Sequence, residues 1–259
     1  MSAYQNVTLQ EEEGVATLTL NRPASLNALN AETLEEIVDA LDAVRDGGTA
    51  RVLLMTGAGR AFSSGADLAA GGKSTDLGSK VERYYNPILE RVFALPMPFV
   101  TAVNGAAVGA GCALALAGDI VLAARSSYFL QAFVNIGLTP DVGSTWLLPR
   151  LIGRARAQAM MMLGERITAE RAEAWGMLHK VVDDDALAAE AHGLAQKLAK
   201  GPTQTYALIR QGIRFALDHS LTETLARERV QQMLAGRTLD FAEGVAAFRE
   251  KRSAVFKGR

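Results

Sequence analysis

The chain has 259 residues, of which 49% are hydrophobic and 21% are charged, with 24 glycines and 7 prolines. This composition is ordinary for a folded protein and excludes disordered, collagen-like and fibrous chains. Lysine plus arginine (27) nearly balances aspartate plus glutamate (28), so a net charge of −1 provides no basic field for a nucleic acid backbone.

Strands and helices alternate in the first half of the chain. Period-two runs on either side of Glu13-Gly14 predict a hairpin within residues 7–20. Apolar positions then recur at helical spacing over 31–44, with Asn30 as the N-cap. The next elements are predicted as a strand over 51–56, a helix over 77–94, a strand over 99–103, a helix over 110–117 and a strand over 119–123. This alternation predicts an α/β fold with parallel strands.

After Pro149 the pattern is mainly helical, apart from a short strand predicted over 178–182. Amphipathic helices are predicted over 155–163, 169–175, 186–199, 203–217, 221–235 and 240–248. We therefore predict a core over residues 1–195 and a helical module over 196–259 that packs on a neighbouring subunit.

Cysteine and histidine usage favours neither a disulfide nor a metal site. Cys112 is the single cysteine and lies in an apolar run, so we expect a buried thiol. His179, His192 and His219 lack ligand spacing, and no metal is expected. No secretory signal is visible, and apolar stretches such as 106–117 are shorter than the about 20 residues that cross a bilayer. We expect a cytoplasmic protein with no membrane or nucleic acid partner.

Two glycine-rich segments follow buried strands, at Phe62–Leu68 and Asn104–Leu114. The G-x-G patterns that begin at Gly57 and Gly109 do not complete the dinucleotide-binding fingerprint, and no nucleophile-elbow pattern surrounds a serine. Small residues let a ligand approach the backbone, and the first N–H groups of a helix can bind an oxyanion. Taken singly, such a junction is more often simple strand-to-helix packing.

Four segments resemble the crotonase, or enoyl-CoA hydratase/isomerase, superfamily: Asn21–Leu29, Arg60–Leu68, Ala102–Gly111 and Ala247–Phe256. In order and spacing they span essentially the whole chain. The resemblance implies a spiral core of ββα units, a helical C-terminal trimerisation module, and trimers often paired as hexamers. It also implies acyl-CoA thioester substrates, with no cofactor besides the coenzyme A that the substrate carries. The backbone N–H groups of Ala66 and Ala110 would then form the oxyanion hole for the thioester carbonyl.

The resemblance also assigns residues to substrate binding. These residues are Ala24, Leu26, Ala28, Ser64, Ala66, Asp67, Leu68, Ala110, Phe133, Phe248 and Lys251. Lys251 is equally consistent with a solvated surface charge. Asp67 and Asp119 lie beside turns, and we expect their carboxylates to hold backbone rather than to move protons. The glycine- and serine-rich loop over 69–78 is expected to be mobile and to set the volume of the acyl pocket.

The acid and base positions of the superfamily decide the reaction. Where hydratases of the family carry two glutamates, this chain carries Ala113 and Phe133, so we expect weak hydratase activity. Asp141 occupies a position similar to the proton shuttle of the family's isomerases. The alternative for Asp141 is an N-cap for a helix that starts near Gly143.

A narrower resemblance is carried by four less specific segments, Val81–Pro87, Phe129–Phe133, Thr139–Asp141 and Trp146–Arg150. They are similar to isomerases of bacterial phenylacetate breakdown, which convert ring-epoxidised phenylacetyl-CoA to the oxepin and also shift double bonds. We expect an acyl-CoA isomerase; the alternatives are an enoyl-CoA hydratase and, more distantly, a non-catalytic acyl-CoA binder. Phe129, Phe133 and Trp146 are either an apolar wall near Asp141 or simply core. Tyr84 and Tyr85 either line the acyl pocket or pack on the core.

Overall fold

The computed structural model describes residues 4–69 and 76–259. Its strands are β1 (Val7–Glu12), β2 (Val15–Leu20), β3 (Val52–Gly57), β4 (Ala61–Ser63), β5 (Phe99–Val103), β6 (Ala106–Val108), β7 (Ile120–Ala124), β8 (Tyr128–Leu130), β9 (Ile167–Thr168) and β10 (Lys180–Val182). Its helices are α1 (Ala31–Gly47), α2 (Leu77–Lys80), α3 (Asn86–Ala94), α4 (Ala110–Leu116), α5 (Ser144–Leu163), α6 (Ala169–Trp175), α7 (Leu187–Ala199), α8 (Thr203–Ala216), α9 (Leu221–Ala235) and α10 (Leu239–Glu250). In the part of the chain that is described, no helix is long and apolar enough to span a bilayer.

The strands form two sheets. The larger has the order β1-β2-β3-β5-β7-β10 and is parallel except for the β1–β2 hairpin. The smaller has the order β4-β6-β8-β9, with β9 antiparallel. Strands β3, β5 and β7 of the larger sheet are each followed by a short strand of the smaller one, and β6 leads directly into α4. This repeat builds the expected spiral of ββα units, so the predicted α/β fold class is confirmed.

The first predicted elements are observed for the expected physical reasons. Glu13 and Gly14 both adopt positive φ (49° and 78°), as a two-residue hairpin turn with the twist of its strands requires. Helix α1 begins after Asn30, whose side chain accepts a 2.8 Å hydrogen bond from the Thr33 N–H. Its apolar stripe, which includes Ile37 and Leu41, is buried in the main core between the larger sheet and the helices.

Helix α7 covers the opposite face of the larger sheet. Its buried positions Leu187, Ala191, Ala195 and Ala199 pack with strand residues such as Val52 in a second apolar cluster. The helix crosses residue 195 without a break. The predicted division of the chain after residue 195 stays a prediction.

Three details differ from the pattern predicted for residues 51–182. The strands β4, β6, β8 and β9 have only two or three residues each, too few to show a period. The helix predicted over 155–163 is the second part of α5, which Gly153 divides because its backbone is non-helical (φ 74°, ψ 159°). The helix predicted over 77–94 contains a π-helical turn at Val81–Tyr85.

Proline explains that π-helical turn. Pro87 has no N–H to donate to Arg83, and its ring clashes with a carbonyl four residues earlier in a regular helix. The chain instead widens by one residue, and the N–H of Asn86 donates to the carbonyl of Val81, five residues earlier.

Helix α8 is fastened to the core by one buried cation. Arg210, which is 7% exposed, forms an ion pair with Asp119 and donates hydrogen bonds to the carbonyls of Val92 (3.0 Å) and Leu95. Asp119 also accepts a 2.7 Å hydrogen bond from the N–H of Phe99. The Asp119 carboxylate therefore holds the backbone at Phe99, as its position beside a turn predicts.

Replacing Arg210 with leucine is expected to lower the free energy of unfolding by about 3 kcal/mol, because Asp119 and two carbonyls then lose a buried partner. Urea denaturation measures this. The control is Arg237→Leu at an exposed position between α9 and α10, expected to cost about 0.5 kcal/mol or less. Equal costs for the two variants would contradict the anchoring role of Arg210.

Candidate active site

Ala66 and Ala110 lie next to each other where the paired strands β4 and β6 end. Gly65 (φ 86°) approaches the following strand so closely that a Cβ atom there would lie 2.6 Å from the carbonyl oxygen of Val108 and 3.6 Å from the N atom of Ala110. Only glycine fits this contact, because it has no side chain and tolerates positive φ. The contact therefore brings the two predicted oxyanion donors together.

The hydrogen bonds around Ala66 leave its own amide unused. The N–H of Leu29 donates to the carbonyl of Gly65 (2.8 Å), and the N–H of Asp67 donates to the carbonyl of Leu29 (3.0 Å). Ala110 is the first residue of α4, where an N–H has no intrahelical acceptor. Across residues 4–69 and 76–259, neither amide has a hydrogen-bond partner. Two adjacent, unpaired N–H groups are suited to stabilise negative charge on one oxygen.

The segment 22–29 is joined by hydrogen bonds and an ion pair to residues 61–67, which include Ala66. Arg22 forms a 2.9 Å ion pair with Asp67 and also donates to the carbonyl of Ala28. The buried amide of Asn27 donates to the carbonyl of Ala61 (2.7 Å) and accepts from the N–H of Arg22 (2.9 Å). The Asp67 carboxylate therefore holds the neighbouring segment through Arg22, which agrees with the structural role that its position beside a turn predicts.

Asp141 carries a half-buried carboxyl group whose Oδ1 atom, among the residues that the structure describes, is sealed from solvent and has no hydrogen-bond partner. Burial raises the pKa of Asp141 to about 6. Its main-chain carbonyl accepts from the N–H of Ser144 (2.9 Å), in a turn where Val142 and Gly143 have positive φ (49° and 67°). The residue that caps α5 is Gly143, and no side chain caps this helix, so the N-cap alternative for Asp141 is wrong.

The two positions where family hydratases carry glutamate are apolar. Ala113 is buried inside α4. Phe133 is also buried, and its ring lies 3.8 Å from where a Cβ atom of Gly109 would be, directly beside Ala110. No carboxylate therefore stands at either position next to the second oxyanion donor.

Of the other aromatic residues, Phe129 and Trp146 belong to the core. Phe129 is fully buried, and Trp146 packs edge-on against Phe93 with the ring centroids 5.7 Å apart. The core alternative therefore describes both residues.

Tyr84 and Tyr85 have different surroundings. Tyr84 lies below the guanidinium of Arg83 (5.1 Å to the ring centroid) and lines a groove between α1 and α3. Burial, together with the charges of Asp141 and Asp67, raises the pKa of Tyr85 to about 12. Tyr84 therefore lies in a groove away from Ala66 and Ala110, and Tyr85 packs against the main core.

Comparison with known proteins agrees with this arrangement. The family model for enoyl-CoA hydratase/isomerase matches residues 10–259. The chain belongs to the enoyl-CoA hydratase/isomerase family. It is 50% identical over 253 residues to the 1,2-epoxyphenylacetyl-CoA isomerase of Escherichia coli (96% of this chain, 97% of the relative). It is 35% identical to the crotonyl-CoA hydratase of Syntrophomonas wolfei, with 98% of each chain covered.

Solved structures of the hydratase/isomerase family share the fold. An enoyl-CoA hydratase from Bacillus anthracis superposes with a TM-score of 0.94 at 33% identity, over 98% of this chain and 100% of that chain. The crotonase fold expected from the sequence is therefore confirmed. Because both hydratases and isomerases are among these relatives, membership of the family shows an enzyme of the hydratase/isomerase family and does not decide between the two reactions.

The other residues expected to bind substrate in this family member fall into two groups. The first group lies on segments 22–29 and 64–68, which hydrogen bonds join around Ala66, and consists of Ala24, Leu26, Ala28, Ser64 and Leu68. The Ser64 hydroxyl donates a hydrogen bond to the carbonyl of Ser25 (3.3 Å). Leu68 is 66% exposed. Of the loop predicted over 69–78, residues 70–75 lie outside the described residues.

Phe248 and Lys251 form the second group. They lie on and just after α10; Phe248 is 85% exposed, and Lys251 is also exposed. No hydrogen bond or ion pair in the described parts of the chain joins either residue to segments 22–29 or 64–68. Their contact with the nucleotide stays a prediction.

Cys112 is buried, as expected, and burial raises the pKa of its thiol to about 12. The described residues contain no group of three His, Cys, Asp or Glu side chains that could hold a metal ion.

The variant Asp141→Asn tests the environment of the carboxyl group. The folded-state pKa of about 6 lies above the roughly 3.9 of an unfolded chain, so the native state loses stability as pH rises from 4 through 6. We expect the variant to become more stable than the wild type in urea as pH rises from 4 to 7.5. The control is Asp46→Asn, whose stability difference from the wild type should change little over this range, because the Arg45 side chain lowers the pKa of Asp46 and its titration then lies below pH 4. A pH-independent difference at Asp141 would contradict its burial.

Proposed function

We propose that the chain is an acyl-CoA isomerase that uses Asp141 as its single proton shuttle. The observation that carries the proposal is the half-buried carboxyl group whose Oδ1 atom has no hydrogen-bond partner within residues 4–69 and 76–259, in a chain where Ala113 and Phe133 supply no second carboxylate. Perturbed, uncompensated carboxyl groups are typical of catalytic acids and bases.

The site residues account for a double-bond shift in a 3-enoyl thioester. Asp141 removes a proton from the α-carbon, and the electron pair moves into the dienolate, whose oxygen is held by the N–H groups of Ala66 and Ala110. The protonated Asp141 then returns the proton to the γ-carbon, which leaves the double bond conjugated to the carbonyl. The proton and the electrons balance without water, so one carboxylate suffices.

The acyl group that we propose is a ring-epoxidised phenylacetyl group, converted to the oxepin. Support comes from the 50% identity with the E. coli 1,2-epoxyphenylacetyl-CoA isomerase over nearly the full length of both chains. The shift of a simple double bond would use the same base and the same oxyanion donors.

Hydration is the second candidate, because relatives such as the S. wolfei crotonyl-CoA hydratase carry that name. Adding water to a 2-enoyl thioester requires groups that activate the water and deliver its proton. The side chains of Ala113 and Phe133 do neither, and the ring of Phe133 lies beside the donor Ala110. Ala113 and Phe133 therefore favour isomerisation over hydration. A non-catalytic acyl-CoA binder would keep the turns that carry Ala66 and Ala110 but would not need Asp141.

Asp141→Asn is expected to lower the isomerisation of a 3-enoyl-CoA by roughly 10²–10⁴-fold, because asparagine cannot move the proton. Absorbance of the conjugated product measures the rate. The control Asp185→Asn, at an exposed position before α7, should leave the rate unchanged.

The pH dependence provides a second readout of the same prediction. In the wild type, kcat/KM should rise with pH through about 6, where the base becomes ionised. Full activity of the variant, or hydration of a 2-enoyl-CoA as the faster wild-type reaction, would overturn the assignment.

We also propose that the chain assembles as a homotrimer or hexamer through the helical module. Ile209, Ile213 and Leu217 recur every four residues along α8 and its C-cap, and each is at least half exposed. They line one apolar groove with Trp146 and Leu151 of α5. Contiguous exposed apolar surface of this kind is typical of subunit interfaces.

Light scattering after gel filtration is expected to give three or six times the 27.6 kDa chain mass. Ile213→Asp should shift the protein to a lower mass, because it places a charge in the apolar groove. The exposed Lys197→Asp on α7 is the control and should not change the mass. A wild-type protein that elutes as a monomer would overturn the proposed assembly.

A further inference from the structure

Two peptide groups join the side chain of Arg22 to the amide of Ala66. The Nη1 atom of Arg22 donates a hydrogen bond to the carbonyl of Ala28. This carbonyl shares its peptide group with the N–H of Leu29, which donates to the carbonyl of Gly65 (2.8 Å). The carbonyl of Gly65 in turn shares its peptide group with the N–H of Ala66. A continuous chain of hydrogen bonds therefore runs from a positive charge to a proposed oxyanion donor.

This chain sets the direction in which the Ala66 N–H points. A trans peptide group is planar, so fixing its carbonyl also fixes its N–H on the opposite side. The bond from Leu29 to the carbonyl of Gly65 does this for the peptide group before Ala66. The N–H of Asp67, in the peptide group after Ala66, donates to the carbonyl of Leu29 (3.0 Å). Leu29 therefore holds both peptide groups that flank Ala66, with which it also forms a parallel β-bridge.

The charge of Arg22 also makes the chain more polar. Hydrogen bonds in series polarise one another, because each donor draws electron density from the group that accepts its bond. A charged donor has a larger effect than a neutral one. The guanidinium therefore strengthens Leu29 as a donor to Gly65, and this bond makes the N–H of Ala66 a stronger donor in its turn.

The guanidinium itself is held in place. Nη1 of Arg22 also donates to the carboxylate of Asp67 (2.9 Å), and the two side chains are only 20% and 11% exposed. At the second proposed donor, Ala110, the carbonyl of the preceding Gly109 instead accepts a helical bond from the N–H of Ala113 (3.1 Å). Loss of Arg22 should therefore weaken the donor Ala66 and spare Ala110.

We propose that Arg22 is a positioning residue for the oxyanion hole, and that it orients and polarises the N–H of Ala66 through the peptide groups 28–29 and 65–66. Arg22 itself does not touch the substrate. This inference deepens the proposed function and rests on it for the role of Ala66. Its consequence is that stabilisation of negative charge on the thioester oxygen depends on a side chain outside the reaction centre.

The experiment compares Arg22→Met with Arg91→Met. Arg91 is a matched control, because it also donates to a carboxylate, that of Asp42 (2.8 Å), and to a main-chain carbonyl, that of Pro87 (3.2 Å). The probe is phenylacetyl-CoA with an isotopically labelled carbonyl, whose infrared stretching frequency falls when donors polarise the oxygen. Arg22→Met is expected to lose about half of the decrease that the wild type produces, because Ala110 still donates. Arg91→Met should keep the whole decrease.

Isomerisation of a 3-enoyl-CoA separates positioning from binding. Arg22→Met should lower kcat by about 10–100-fold and keep KM within about twofold, because the bond from Ala66 matters most in the transition state. Arg22→Lys should restore kcat to within about fivefold of the wild type, since it keeps the charge and both bonds of Arg22 come from one nitrogen atom. If Arg22→Met does not fold, Arg22→Gln takes its place with the same expected direction, because it also lacks the charge.

Several outcomes would overturn the inference: a wild-type carbonyl frequency in Arg22→Met, a raised KM with unchanged kcat, an Arg22→Lys variant as slow as Arg22→Met, or the same losses in Arg91→Met. A wild type that does not lower the carbonyl frequency would overturn the oxyanion hole and the role of Arg22 together. A wild type whose frequency decrease depends on Arg22 but that isomerises no 3-enoyl-CoA would refute the proposed function alone and still support the positioning role.

Discussion

The contact between Gly65 and the carbonyl of Val108 is the constraint on which the site depends. At 2.6 Å from a hypothetical Cβ atom, the two backbones meet with no room for a side chain. Gly111 packs equally closely on Ser63, where a Cβ atom would lie 2.6 Å from the Ser63 Cβ. Successive turns of the spiral therefore touch through main chain. The proposed oxyanion donors are also main-chain groups, so the packing of the fold itself determines where these N–H groups lie.

The aspartates show how the same residue type serves structure or chemistry according to its partners. Asp240 is 4% exposed, and its two oxygens accept the N–H groups of Lys257 and Gly258. Asp119 and Asp67 are paired with arginines. Asp141 alone of these four carries a buried oxygen atom without a partner. Leaving a carboxylate oxygen unpaired costs stability, so natural proteins retain such an arrangement mainly where the proton itself is used.

Elements long enough to show a repeating pattern of apolar residues were predictable from the sequence, because burial of one face dictates where apolar residues recur. Helix α1 and the hairpin are examples. The strands of the smaller sheet were not, since three residues such as Ala106–Val108 carry no period. In the candidate site, the motifs indicated Ala66, Ala110 and Asp141, and their catalytic roles stay predictions. The motifs did not indicate the π-helical turn at Val81–Tyr85, because it arises from the missing N–H of Pro87, whose effect on the helix appears only in three dimensions.

That π-helical turn makes the helix intolerant of changes in length. In a regular α-helix each residue advances the side chains by about 100° around the axis. Deletion of one residue within Val81–Tyr85 would remove the residue that widens the turn ahead of Pro87, so the backbone before Pro87 would have to rearrange. The residues before the deletion would rotate relative to α3, and the directions of Tyr84 and Tyr85 would depend on which position was lost. Alignments of related chains that open a single-residue gap in this segment would therefore pair residues whose side chains point in different directions.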